Sequence, residues 1–122
     1  LAPLTLVVGT EAIYHDLRVG IPVVDRIEVD ATLVRAVRST IPQVRALPIV
    51  TSATVGGVDS DAAVEAMEGF AVLRAAALAG IPAIEVRAIS NEIGEEDRRR
   101  WDIPGALEVL TQTIPMVLDA FA

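Results

Sequence analysis

The feature that most constrains the fold is a repeated change of period. Short β-branched runs give way to helix-spaced apolar residues and back again, with glycine or proline near most of the joins. Thr5-Leu6-Val7-Val8-Gly9 reads as a strand that ends at its glycine. A polar, irregular stretch follows from Glu11 to Asp16, and Gly20-Ile21-Pro22 punctuates the chain after it. Asp30 then takes an N-cap position, because Leu33, Val34, Val37 and Ile41 recur at helical spacing until Pro42 stops them. Pro48 leads into a second strand, Ile49 to Ser52. The Ala-rich segment from Ala62 to Ala79 predicts a helix, with Gly80 at its left-handed C′ position and Pro82 preventing continuation. The mostly apolar run Ile81–Ile89 predicts a third strand, and the order strand, helix, strand predicts a right-handed βαβ crossover. A last helix is expected from about Pro104 to Phe121, bent or interrupted at Pro115. Alternation of this kind is the pattern of an α/β fold with a mainly parallel sheet, here one domain over residues 1–122.

Composition removes several classes of function. Apolar types make up 52% of the chain and charged types 22%, which excludes intrinsic disorder. The richest apolar region is broken by Arg74, so no spanning helix and no membrane partner are expected. A net charge of −7 repels phosphate backbones and argues against nucleic acid. Cysteine is absent, so disulfides and thiolate metal sites are excluded. Every basic residue is Arg, which excludes a Schiff-base or Walker-type lysine. His15 has no second histidine at ligand spacing, so no metal and no cofactor are expected. No basic segment precedes an apolar one at the amino terminus, and a cytoplasmic protein is expected.

In an α/β sheet ligands gather beyond the carboxyl ends of strands, which directs attention to two segments. One is the small-residue loop Thr51-Ser52-Ala53-Thr54-Val55-Gly56-Gly57, either a plain turn or a place where backbone approaches a ligand. The other is Ser90-Asn91-Glu92, where the Asn91 amide either closes an Asx-turn or meets a ligand with one donor and one acceptor. Glu65 and Glu68 flank an apolar patch with Met67, on a solvated helix face or held inward for a purpose. Glu85 and Arg87, two apart on a strand, share one face and read as a structural ion pair. Glu95 to Arg100 reads as a solvated, lid-like loop anchored by Trp101.

Two spaced motifs carry a family resemblance. Val64-Glu65-Ala66-Met67-Glu68-Gly69-Phe70-Ala71, followed by Val86-Arg87-Ala88-Ile89-Ser90-Asn91, resembles the purine nucleoside phosphorylase and nucleosidase superfamily. The strand and Tyr-His-Asp segment Val7 to Asp16 is similar to that family as well. The resemblance implies a three-layer αβα domain with a mainly parallel or mixed central sheet, incomplete at the amino terminus. The chain would then correspond to the C-terminal half of a nucleosidase, the water-activating acid lying in the half before it. It implies that Glu68 holds the ribose, Met67 packs beneath the sugar, and Ser90 and Asn91 read the purine, with Glu65 and the backbone near Val55 and Gly56 completing the substrate site. Where adenine-specific relatives carry Asp, this chain has Asn91. An amide donates to a 6-oxo group and accepts from protonated N7, whereas a carboxylate would set two acceptors face to face. With Asp97-Arg98-Arg99-Arg100-Trp101, the combination is most similar to the futalosine hydrolase branch. That likeness implies hydrolysis of futalosine to hypoxanthine on a menaquinone pathway, by a homo-oligomer. A 6-oxopurine phosphorylase, a methylthioadenosine-type nucleosidase and a catalytically dead nucleoside-binding fragment are the alternatives.

Overall fold

The computed structural model describes residues 1–55 and 62–122. Its elements are β1 (Leu6–Tyr14), β2 (Arg26–Glu28), α1 (Ala31–Thr40), β3 (Arg45–Thr51), β4 (Glu65–Ala66), α2 (Gly69–Leu78), β5 (Val86–Ala88) and α3 (Ile103–Asp119), with a 3₁₀ turn at Arg98–Arg100. The sheet is mixed: β3 runs parallel to β1 and β4 parallel to β3, while β2 and β5 run antiparallel to β1. Helices α1 and α3 cover one face and α2 the other, which gives three layers.

Strand alternation sorts the core between those layers. Leu6 and Val8 of β1 and Ala46 of β3 point to α1 and α3, where they meet Val34, Val37, Ile41, Val109 and Val117. Val7, Leu47 and Ile49 point the opposite way. The β1–β3 register slips between Gly9 and Ala12, a bulge that turns Ala12 and Tyr14 onto the face already used by Val7. Ala12 and Tyr14 thereby join Phe70 and Leu73 of α2, and Tyr14 meets the Phe70 ring edge-on at 5.3 Å.

The helix ends follow local chemistry. Asp30 caps α1, its Oδ1 accepting from the Thr32 amide at 2.8 Å. At the end of α2, Gly80 has φ +67°, and the amides of Gly80 and Ile81 return to the carbonyls of Ala77 and Ala76, a Schellman closure. Asp102 caps α3 by accepting from the Gly105 amide at 2.9 Å. That helix continues through Pro115 without interruption, starting one residue before the expected Pro104 and ending two before Phe121.

Four expectations need correction. The segment from Glu11 to Asp16 is not irregular as far as Tyr14, because β1 continues through it and pairs with β2 and β3. The helix expected from Ala62 begins only at Gly69, since Glu65 and Ala66 pair with Val50 and Thr51 as β4, and sheet hydrogen bonds override the helical propensity of alanine. The strand expected from Ile81 is confined to Val86–Ala88, although the Glu85 carbonyl still accepts from the Gly9 amide. Finally, β5 pairs with β1 and antiparallel to it, so β3, α2 and β5 make no βαβ crossover.

Candidate functional site

A cavity of about 520 Å³ opens on the sheet face that carries Val7 and Ile49. Val64, Ala66 and Ile89 contribute apolar wall, and two segments reach it from opposite directions because β5 runs against β3 and β4. One is the turn between β4 and α2; the other is the stretch after β5. Of the residues expected at a site, Val55, Glu65, Met67, Ser90 and Asn91 line this cavity. Gly56 lies outside the described residues.

Asn91 is held by its neighbours yet keeps bonding capacity. Its Oδ1 accepts from the Ser90 hydroxyl at 2.6 Å, and its Nδ2 donates to the Glu92 carbonyl at 3.1 Å. A primary amide carries two N–H donors and two lone pairs, so one of each is left for a ligand. Glu65 Oε1 lies 2.8 Å from the hydroxyl of Ser52, a fully buried residue whose one proton also faces the Thr54 carbonyl at 2.5 Å.

Glu68 stands apart from the wall. It occupies the N-cap position of α2 without capping it by its side chain, which is 71% exposed. The residue that ties it to the cavity is Arg87, a lining residue whose Nη2 donates to Glu68 Oε2 at 3.2 Å. Arg87 Nε donates at 2.7 Å to Oε1 of the buried Glu85, so the expected Glu85–Arg87 pair is formed and extends to a third member. Burial opposes the charge on Arg87, but Glu85 and then Glu68 more than offset it, holding the guanidinium above its ordinary value.

The segment after Asn91 folds over the cavity edge. The Trp101 indole donates to the Glu95 carbonyl at 2.9 Å, the Arg98 guanidinium lies 5.5 Å from the Trp101 ring centre, and the Asp102 amide donates to the Ser90 carbonyl. Glu95, Glu96, Arg98 and Trp101 all reach the cavity. Sequence reasoning assigned Arg87 to an ion pair and Trp101 to an anchor, but neither to the site. Arg87 carried a usable signal, since it lies in the same short motif as Ser90 and Asn91.

No group of three or more His, Cys, Asp or Glu side chains is disposed to hold a metal among the described residues. No helix among them is long and apolar enough to cross a membrane.

The sequence profile of the Phosphorylase superfamily matches residues 1–122. The chain belongs to that superfamily. Among curated proteins, the futalosine hydrolase of Streptomyces coelicolor is 42% identical over 76 residues, covering 54% of this chain and 32% of that protein. The futalosine hydrolase of Acidothermus cellulolyticus is 46% identical over 72 residues, covering 51% and 30%. The chain spans about a third of the length of these relatives. Solved structures support the superfamily fold. A futalosine hydrolase mutant of Helicobacter pylori strain 26695 superposes with TM-score 0.85 at 18% identity, covering 98% of this chain and 62% of that one. The 5′-methylthioadenosine/S-adenosylhomocysteine nucleosidase of Streptococcus pneumoniae, solved with a transition-state inhibitor, gives 0.84 at 20%, covering 99% and 64%.

Proposed function

We propose that this chain supplies the base- and sugar-binding part of a purine nucleosidase of futalosine hydrolase type, cleaving futalosine with water to release hypoxanthine. The observation that carries the reading is Asn91 at the cavity wall with one N–H and one lone pair uncommitted. That pair matches O6 and protonated N7 of a departing 6-oxopurine, and stabilising the leaving base lowers the barrier to breaking the glycosidic bond. As the bond lengthens the sugar becomes oxocarbenium-like. Glu68 binds its hydroxyls and sets negative charge beside the cation, an interaction that strengthens toward the transition state. Met67 packs under the sugar, and Glu65, Ser90 and Val55 complete the substrate site. A cytoplasmic homo-oligomer on a menaquinone pathway is the setting we infer for such an activity.

Hypoxanthine release from futalosine, followed with and without phosphate in the full-length protein, tests this. Phosphate-independent release is expected. Strict dependence on phosphate would mean a phosphorylase, and saturable nucleoside binding without release would mean a binding protein.

A further inference from the structure

Glu85 is an anomaly for a residue with a merely structural task. Its side chain is 8% exposed, and of its two carboxylate oxygens only Oε1 has a partner, the Arg87 Nε–H. Oε2 is buried with no hydrogen-bond partner among the described residues. Burying a half-satisfied carboxylate costs free energy, and an apolar residue of similar volume commonly serves stability as well or better. Gly69, the first residue of α2, leaves the room this carboxylate occupies: a Cβ there would run into both Glu85 oxygens. Two positions from different elements are therefore fitted to one buried charge.

The charge acts on Arg87. A guanidinium held only by Glu68, whose side chain is 71% exposed, would swing with it. Held at Nε by a buried carboxylate, its plane is fixed and Nη2 is aimed at Glu68.

We propose that Glu85 is a positioning residue that acts through Arg87: it anchors Nε so that Nη2 holds Glu68 in the orientation the sugar requires, and Gly69 is glycine to admit it. This rests on the reading of Glu68 as the sugar-binding carboxylate. It assigns Glu85 no contact with substrate.

Four forms of the full-length protein test it, the parent, Glu85→Gln, Arg87→Lys and the double variant, by kcat and KM for nucleoside cleavage and by Tm. Glu85→Gln should lower kcat about 100-fold, the scale of a misplaced catalytic geometry, and leave KM within about threefold. Arg87→Lys removes Nε, so in that background Glu85→Gln should change kcat by less than about twofold. Independent, multiplying losses, or a Glu85→Gln enzyme within about twofold of its parent, would overturn the proposal. If Glu85→Gln does not fold, the unaltered protein still decides. The Arg87 Nε–H should appear in nitrogen-15 NMR as a resolved, slowly exchanging proton, and exchange as fast as that of a free guanidinium sinks the clamp. A parent that releases no base would refute the nucleosidase reading alone, since the exchange measurement tests the clamp without turnover.

Discussion

The two faces of the sheet put their buried atoms to different uses. Toward α1 and α3 the interior is Leu6, Val8, Val34, Val37, Ile41 and Val44, with Thr113 of α3 also buried. Toward α2, Val7, Ile49 and Phe70 share the interior with the Thr51 hydroxyl, which accepts from the Phe70 amide at 2.9 Å, and with the Glu85 carboxylate. Apolar contact is indifferent to small rotations, whereas a hydrogen-bonded carboxylate fixes direction. One face holds the sheet together; the other aims groups at a cavity.

The largest effect that would sharpen this contrast is on stability. Ile41→Ala, at a fully buried position on the first face, should cost about 2–5 kcal/mol in a denaturant titration and leave KM for nucleoside unchanged while the protein is folded. A large change in KM would break the separation between the faces. Next comes Glu68→Gln, which should lower kcat about 10²- to 10³-fold, as for loss of one preorganised electrostatic contact, with little change in Tm because the side chain is mostly exposed. Asn91→Asp should then move base preference from 6-oxo toward 6-amino purines, the parent's discrimination falling about 5- to 150-fold, the scale of one buried mismatch. An unchanged preference would remove Asn91 from the purine site.

The smallest effect is at the lid. Arg99, through its side chain first and its backbone amide second, holds the Asp97 carboxyl below the ordinary aspartate value. Its contribution is complete above that ordinary value and disappears as pH falls through the lowered one. Asp97→Asn should therefore show a slightly lower Tm than its parent at neutral pH, and the difference should vanish in strong acid. Because the pair is open to solvent, the shift should be small.

What the sequence made legible was what short-range chemistry decides. The Asp30 cap and the Gly80 closure each depend on residues within one turn, and the Glu85–Arg87 pair on a separation of two. The misread segments are those whose state is set from far along the chain. Glu65 and Ala66 sit beside an Ala-rich helix but take their conformation from Val50 and Thr51. Glu11 to Tyr14 reads as polar irregularity until β2 and β3 are laid against it. For the same reason the site was legible in its members and less so in its wiring. Asn91, Ser90, Met67 and Glu65 meet at one cavity, while the link from Glu68 to that cavity passes through an arginine on an antiparallel strand.

The slipped register between Gly9 and Ala12 has a consequence for what the chain tolerates. Upstream of it odd-numbered side chains look toward α2, and downstream even-numbered ones do. Removing Thr10 or Glu11 would take out the extra residue and restore unbroken alternation, with Ala12 still opposite Ile49 and the Tyr14 ring still facing Phe70. Length at this point is therefore adjustable by one residue, and a single deletion here should straighten the strand while leaving the α2 face in place.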